Sequence, residues 1–318
     1  EKIMEEIIMA ITAGMVKELR EMTGAGMMDC KKALAATEGD MDKAVEFLRE
    51  KGLAAATKKA GRIAAEGVVK TLLSDDHNAV VVEVNSETDF VAKNAEFNEF
   101  VDAVAAQAMN SNAADMDAFM QETWAADPSL TVEQALSSKV ARIGEKLSIR
   151  RFEKIAGADL VVSYIHGDGK IGVLVEAATD VVNDDIKEAL KNVAMQIAAL
   201  HPQYVCDSEV PEEFKEHEIE IIKAQIANDP KVAGKPEKVI EGMIQGKLNK
   251  ELKEICLNDQ VYVKAEDGKQ SVAAYLAQVG KANNANLSVK KFVRFERGEG
   301  MEKKQENFAE EVAKQMNM

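Results

Sequence analysis

The sequence predicts an α+β protein in which helical units accompany two antiparallel sheets, and three observations lead to this class. Apolar residues recur at helical spacing from residue 10 to residue 52. From Gly67 the spacing becomes that of strands, and a succession of two strands and one helix occurs twice. Residues 211–255 return to helical spacing alone. With 318 residues, of which 46% are hydrophobic, the chain can bury a core and form several domains.

Charge and cysteine content narrow the class of partner. The formal net charge is −15 and the sequence pI is near 4.9, which disfavours direct nucleic-acid binding, because neutralising phosphates needs clustered Lys and Arg. The three cysteines are widely spaced, and no apolar run approaches the length of about 20 residues that a bilayer requires. These features favour a cytoplasmic protein that binds another protein and no membrane.

The N-terminal region is predicted to form three helices. Thr12 is placed to cap the first helix, which the glycines of TGAG end. The second helix runs to the breaker TEGD, where Asp40 is placed to cap a third helix that is expected to end at Gly52. An Ala/Lys-rich bridge, AAATKKAGRIAAE, follows. The apolar faces carry Met15, Val16 and Leu19, then Cys30, Ala33 and Leu34, then Met41, Ala44, Val45 and Leu48.

The middle of the chain contains two similar strand and helix successions. In the first, GVVKTLL and AVVVEV flank the turn SDDHN and precede a helix; in the second, DLVVSYI and IGVLVEAATD flank HGDGK and precede a helix. Aligning VVVEVNSETDF with GVLVEAATDV matches a Val-Glu pair and a Thr-Asp pair, with a two-residue difference between them. We interpret the two successions as related αβ subdomains, with a chance match of short apolar segments as the alternative.

The last third of the chain is predicted to be a helical hairpin, a helix, a strand and a final helix. The hairpin interrupts the second succession, and the segment NDPKVAGKP separates its two helices. SVAAYLAQVG is predicted as a helix, SVKKFVRFERG as a strand and MEKKQENFAEEVAKQM as an amphipathic helix that docks on another surface. The predicted hairpin seam consists of Phe214, Ile221 and Ile222 on one helix and Ile240, Ile244, Leu248 and Leu252 on the other.

No catalytic motif is present, so neither an enzyme nor a cofactor is predicted. The four histidines lie in unrelated contexts, and no G-x-S-x-G or H-E-x-x-H run occurs. HGDGK and TGAG lack the spacing of a phosphate-binding loop and are interpreted as tight turns. A metal site formed by His201, Cys206 and His217 is an alternative, but a fourth ligand and suitable spacing are missing.

Three apolar residues lie in polar surroundings. Met27 and Met28 follow TGAG at the start of a helix, and Phe90 follows a predicted strand in the segment EVNSETDFVAKN. Each of them fits either the core of its own domain or a surface that contacts a partner.

Six segments together resemble one protein family. VKELREMTGAGMMDCKKAL, EVNSETDFVAKN, ARIGEKLSIRR, IHGDGKIGVLVE, GKPEKVIEGMIQGKL and RFERGEGMEK occur in the order found in bacterial translation elongation factor Ts, from about Ala10 onwards. That family comprises the guanine-nucleotide exchange factors of elongation factor Tu. The resemblance implies a chain that binds elongation factor Tu with GDP and promotes release of GDP and its exchange for GTP.

The resemblance also implies a division of the chain. Residues 10–62 are then a ubiquitin-associated-like three-helix domain with its linker. Residues 1–9 are interpreted as a leader or appendage on a different ground, because a plausible start lies at Met9-Ala10. Core subdomain N covers 63–152, and core subdomain C covers 153–298, including a coiled-coil hairpin at 208–255. A C-terminal helical module occupies 299–318.

Specific contact residues follow from the same resemblance. Asp89 and Phe90 resemble the pair that the family inserts near the magnesium site of the GTPase, and Thr88 and Val91 complete the motif TDFV. Further contacts are implied for Arg20, Met27, Met28, Ile143, Gly144 and His166. A chaperone-like binder of elongation factor Tu without exchange activity is the alternative function. The oligomeric state, including a homodimer or a 2:2 complex, stays open.

Overall fold

The computed structural model of the chain describes residues 11–229, 232 and 235–303. Within these residues it contains eleven α-helices and two three-stranded antiparallel sheets, with strand orders β1-β2-β3 and β4-β5-β6. The predicted α+β class is therefore confirmed. The predicted leader and the final amphipathic helix lie outside the described residues, the latter apart from its first three residues.

In chain order the elements are α1 (Ala13–Thr23), α2 (Met27–Ala36), α3 (Met41–Lys59), β1 (Glu66–Leu73), β2 (Ala79–Ser86), α4 (Asp89–Ala92), α5 (Ala95–Asn110), α6 (Met116–Gln121), α7 (Val132–Ile143), β3 (Ser148–Ile155), β4 (Leu160–His166), β5 (Ile171–Thr179), α8 (Asp184–Leu200), α9 (Glu212–Ala227), α10 (Glu237–Ile255), α11 (Val272–Ala282) and β6 (Leu287–Glu296). Single 3₁₀ turns lie at Asp207–Glu209 and Leu257–Asp259.

The N-terminal bundle consists of α1, α2 and α3, and its predicted caps are confirmed. Thr12 Oγ1 accepts a hydrogen bond from the Met15 N–H at 3.2 Å, and Asp40 Oδ1 accepts one from the Lys43 N–H at 3.1 Å. Gly24 ends α1 with a φ of +65°, which favours glycine. The small buried core of the bundle consists of Leu19, Cys30, Ala33, Leu34 and Ala44.

The prediction that the third helix ends at Gly52 is wrong, because α3 continues to Lys59. Gly52 is buried where α3 packs on α7, and a Cβ there would lie 3.6 Å from the Ser137 carbonyl oxygen. The contact between the two helices outweighs the cost of about 1 kcal/mol that glycine imposes within a helix. The Ala/Lys-rich bridge is therefore largely helical.

Both sheets have the same construction. In each, a hairpin is followed by a helix, and a later strand pairs antiparallel with the second strand of the hairpin. Both sheets shift register at the glutamate of the aligned Val-Glu pair, between Glu83 and Val84 and between Glu176 and Ala177. The equivalent bulges support the interpretation as related units.

Equivalent glutamines on α5 and α8 extend the similarity beyond the sheets. Gln107 Nε2 donates to the Thr123 carbonyl oxygen at 3.3 Å, and Gln196 Nε2 donates to the Val261 carbonyl oxygen at 3.1 Å. Each glutamine thereby holds the segment that leads into a later helix of its own unit, α7 or α11. The sequence comparison missed this correspondence, because the segments between the matched residues differ in length and composition.

The two sheets pack against each other through one apolar cluster. Gly172 makes the close approach possible, since a Cβ at this position would lie 2.5 Å from Val69 Cγ1. The β1–β2 turn also docks on the second unit, where the Val161 N–H donates to the Asp76 carbonyl oxygen at 2.7 Å. The buried cluster consists of Val69, Ala79, Val81, Ile155, Ala158, Val161, Leu174, Val293 and Phe295.

Glu83 provides a buried polar link between the sheets. Its fully buried carboxylate accepts hydrogen bonds from Arg150 Nη1 at 3.0 Å and from Arg151 Nε at 2.6 Å, both on β3. The Gly298 N–H, just after β6, donates to the same carboxylate at 2.8 Å, and Asn85 donates at 3.1 Å. One carboxylate thus connects β2, β3 and the segment after β6.

Helices α9 and α10 form the predicted hairpin. They pack side by side, with Lys247 Nζ of α10 3.5 Å from Gln225 Oε1 near the end of α9. Because few residues connect the two helices, this contact means that they run antiparallel. The seam prediction is wrong at Ile221, which is 38% exposed. The prediction is confirmed at Ile222, which is buried in the seam together with Ile226, one helical turn further on. None of the described helices is long and apolar enough to cross a membrane.

Candidate partner-binding site

Phe90 projects from the end of the first hairpin. It lies in residues 88–91, termed the Phe90 turn below, which follow β2 and form the start of α4. The Phe90 side chain is 82% exposed, the largest exposure among the large hydrophobic residues of the described chain. The alternative that Phe90 fills the core of its own subdomain is therefore wrong.

The rest of the Phe90 turn is anchored. Thr88 Oγ1 accepts a hydrogen bond from the Val91 N–H at 3.3 Å and caps α4. Val91 packs against the first subdomain core and Ala92 is buried in it. The exposed ring of Phe90 therefore lies on a turn whose neighbouring residues are held by a helix cap and by packing on the core.

The carboxylate of Glu145, just after α7, binds the residues at the start of the turn. Its Oε2 accepts hydrogen bonds from the N–H groups of Glu87 and Thr88 at 3.1 and 3.0 Å, and its Oε1 accepts one from Thr88 Oγ1 at 2.7 Å. In return, the Lys146 N–H donates to Glu87 Oε1 at 2.6 Å. No pattern in the sequence predicts a role for Glu145. Its partners lie 57 and 58 positions earlier, so local spacing carries no signal for the contact.

Asp89 places a negative charge beside the exposed ring. Its Oδ2 accepts a hydrogen bond from Lys93 Nζ at 2.7 Å, one helical turn further on. This hydrogen bond lowers the pKa of Asp89, so the carboxylate is ionised at neutral pH. An apolar ring and a carboxylate thus occupy the same solvent-facing turn.

A second apolar surface lies on the N-terminal bundle. Met27 and Met28 are 60% and 63% exposed at the start of α2, and Met22 at the end of α1 is 59% exposed. The alternative that Met27 and Met28 are core residues is wrong, because both are exposed and the bundle core is filled by other residues, including Leu19 and Leu34. Arg20 is exposed on α1. Flexible methionine side chains of this kind suit contact with a partner.

The remaining predicted contact residues fall into two places. Ile143 ends α7 and packs on the first subdomain core, and the exposed Gly144 follows with a φ of +86°. Both lie directly before Glu145 and so adjoin the Phe90 turn. His166 is exposed at the end of β4, on the second sheet, with its Nδ1 3.1 Å from the Tyr164 hydroxyl.

No metal centre is found among the described residues. None of their His, Cys, Asp and Glu side chains form a group of three or more that could hold an ion. The metal-site alternative at His201, Cys206 and His217 is therefore not supported. Cys206 Sγ instead lies 3.0 Å from Ser208 Oγ. Gly167 and Gly169 of HGDGK and Gly24 of TGAG adopt positive φ angles as expected for tight turns, whereas Gly26 of TGAG has a φ of −62° and precedes α2.

Comparison with known proteins gives one consistent result. The family profile described as "Elongation factor TS" matches residues 87–299. "Elongation factor Ts" of Clostridium novyi is 52% identical over 309 residues, which cover 96% of this chain and 99% of the relative. The proteins of the same name from Clostridioides difficile and Clostridium perfringens are each 52% identical; each match covers 96% of this chain, and 99% and 98% of the relative, respectively.

Proposed function

The chain belongs to the elongation factor Ts family, and from this premise we propose that it opens the nucleotide site of elongation factor Tu with the Phe90 turn. The function of the family is to exchange the guanine nucleotide of elongation factor Tu, and this is the function of the chain. Because exchange changes no covalent bond, we propose no enzymatic activity and no cofactor.

The exposure of Phe90 is the observation that carries the proposed mechanism. A ring that is 82% exposed in the free chain gains most of its burial only when a partner covers it. We propose that Phe90 enters between helices of the GTPase near its bound Mg²⁺, with Asp89 disturbing the polar groups around the metal. Thr88 and Val91 hold the turn in place.

The energy required exceeds what Phe90 alone can supply. Accelerating GDP release a thousandfold lowers the barrier by about 4 kcal/mol. Burial of one Phe contributes roughly 1.5 to 3 kcal/mol. Other surfaces must therefore provide binding energy that holds the ring in the nucleotide site.

We propose two such surfaces. Arg20, Met27 and Met28 on the N-terminal bundle contact the nucleotide-binding domain, and Ile143, Gly144 and His166 make further contacts. The exposure of both methionines supports the first assignment, and the proximity of Gly144 to the Phe90 turn supports part of the second. By linkage, a chain that prefers nucleotide-free elongation factor Tu weakens GDP binding by the same factor.

The finer organisation is proposed on the same basis. We assign residues 10–62 to a ubiquitin-associated-like domain with linker, 63–152 and 153–298 to the two core subdomains, 208–255 to a coiled coil and 299–318 to a C-terminal helical module. Separate apolar clusters in the bundle, the two subdomains and the hairpin support this division. A cytoplasmic location fits the role in translation. Mass measurement distinguishes a homodimer from a 2:2 complex.

Release of fluorescent GDP from elongation factor Tu tests the function. Mixing the loaded GTPase with the full chain and excess unlabelled GDP is expected to accelerate release by roughly a thousandfold. A passive binder would form the complex, detected by titration calorimetry, and leave the release rate unchanged. That result would exclude exchange.

A further inference from the structure

Glu145 accepts three hydrogen bonds from Glu87 and Thr88, where the Phe90 turn begins. We propose that Glu145 is a positioning residue, which holds Phe90 in the orientation that nucleotide exchange needs. This inference rests on the proposed function and extends it to a residue that itself faces its own chain.

The Phe90 turn needs support from outside its own sequence. Helix α4 has only four residues, and a single helical turn is not stable by itself in water. The Glu145 carboxylate accepts three hydrogen bonds from the residues where the turn begins, two from the backbone N–H groups of Glu87 and Thr88 and one from the Thr88 hydroxyl. The direction of the Phe90 side chain therefore depends on this carboxylate.

Fixing the turn before the partner arrives has a specific advantage. A turn that must become ordered during binding loses conformational freedom at that step, and this loss subtracts from the binding free energy. A turn that is already ordered directs the burial of Phe90 toward opening the nucleotide site. Glu145 thus acts on the rate of release through Phe90 and not through a contact of its own.

Glu145 also joins the Phe90 turn to the N-terminal bundle. It follows Gly144 at the end of α7, and α7 packs on α3 at Gly52. A side chain at Gly24 would meet the Arg142 guanidinium, so the turn after α1 lies directly against the end of α7. The Phe90 turn and the N-terminal bundle therefore both adjoin α7, with Glu145 just after the end of this helix.

The variants Glu145→Ala and Glu145→Gln test this role, with Glu122→Ala as the matched control. Glu122 is also partly buried in the first subdomain and accepts hydrogen bonds from Ser111 Oγ at 2.7 Å and Gln107 Nε2 at 3.0 Å, away from the Phe90 turn. Glutamine keeps one carbonyl acceptor, so Glu145→Gln is expected to retain more activity than Glu145→Ala. It also provides a folded variant should the alanine variant unfold.

The GDP release rate is measured against the concentration of each variant. Glu145→Ala is expected to lower the maximal rate about fivefold to tenfold and to change the half-saturating concentration less than about twofold. Glu122→Ala should change both less than about twofold. An unchanged maximal rate for Glu145→Ala would overturn the proposal.

A double variant separates positioning from general destabilisation. If Glu145 acts through Phe90, Glu145→Ala combined with Phe90→Ala should be no slower than Phe90→Ala alone. Reductions that multiply would overturn the proposal, because they would show that Glu145 acts independently of the ring.

Amide hydrogen exchange tests positioning without the GTPase. Residues 87–91 should exchange faster in Glu145→Ala than in the wild type and in Glu122→Ala. Unchanged protection would contradict the positioning role. Faster exchange together with a wild-type chain that fails to accelerate GDP release would leave Glu145 as the support of the turn and exclude the proposed function.

Discussion

Both αβ units carry a Thr-Asp pair at or just after the end of the second strand but use it differently. In the first unit, Thr88 caps a short helix and Phe90 is 82% exposed. In the second, Thr179 is followed by Val181, which packs on the core of its own unit. The first unit has two more residues between its Glu and its Thr than the second unit, and its apolar residue faces solvent where that of the second unit faces the core.

The aspartates differ in the same way. Asp89 is paired with Lys93 on the surface, whereas both carboxylate oxygens of Asp180 accept hydrogen bonds from Asn286, at 2.8 and 2.9 Å. The second unit thus uses its strand end to stabilise itself, while the first presents its strand end to solvent. The second unit stabilises its own fold at this point, whereas the first leaves Phe90 available for a partner.

The buried glutamates at the two bulges allow the largest test of this comparison. Glu83 is fully buried and pairs with two arginines, whereas the Glu176 carboxylate, within the described part of the chain, pairs only with the exposed Lys290, at 2.8 Å. Glu83→Ala removes the acceptor that the partly buried Arg150 and Arg151 share and leaves the buried Gly298 N–H without it, so it should lower the free energy of unfolding by about 3 to 5 kcal/mol. Glu176→Ala should cost roughly 0 to 1 kcal/mol. Urea denaturation measures both, and equal losses would contradict the difference between the bulges.

Lowering the pH should affect the stability of the wild type and of the Glu83→Gln variant differently. Burial acts to raise the pKa of Glu83, but hydrogen bonds from the Gly298 N–H, Asn85 and Arg151 outweigh it and lower the pKa. Its contribution to stability is therefore present above the ordinary glutamate pKa of about 4.3 and is lost as pH falls through the lowered value. The stability difference between wild type and Glu83→Gln should shrink below about pH 4.3. A difference that stays constant with pH would argue against an ionised Glu83.

Replacing Met27 and Met28 tests whether the first αβ unit binds elongation factor Tu without help from the N-terminal bundle. Met27 and Met28 are exposed in the free chain, so their joint replacement by Ala should leave its stability unchanged. The loss of apolar contact should weaken complex formation with elongation factor Tu about tenfold, measured by titration calorimetry. An unaltered dissociation constant would place the bundle outside the interface.

The smallest expected effect concerns Val181, which occupies the position of Phe90 in the second unit. Val181→Ala should lower the free energy of unfolding by about 1 kcal/mol, because its side chain packs on the second core. GDP release should be unaffected. A slower release with normal stability would mean that the second strand end also takes part in exchange.

The sequence carries most of the information on elements whose packing is local. The hairpins and helices α5 and α8 show their spacing directly, because their apolar residues face one core. The sequence does not predict strand β3, since SIRRFEKI carries several charges whose partners, among them Glu83, lie far away in sequence. The extension of α3 beyond Gly52 likewise depends on α7, which the sequence does not place beside it.

The candidate site shows the same division. The polar neighbours of Phe90, Met27 and Met28 indicated a surface role but did not exclude a core role, and only the three-dimensional contacts distinguish the two. Glu145 could not be identified, because its bonds to Glu87 and Thr88 join distant segments. The contact role of the exposed residues toward elongation factor Tu stays a prediction.

The most direct test of the account is GDP release with Phe90→Ala in stopped flow. Val182→Ala is the control, since Val182 is 43% exposed in the corresponding turn of the second unit. Phe90→Ala should slow release by roughly tenfold or more while thermal unfolding stays unchanged, and Val182→Ala should release GDP at the wild-type rate. If Phe90→Ala releases GDP as fast as the wild type, the exposed ring is not what opens the nucleotide site.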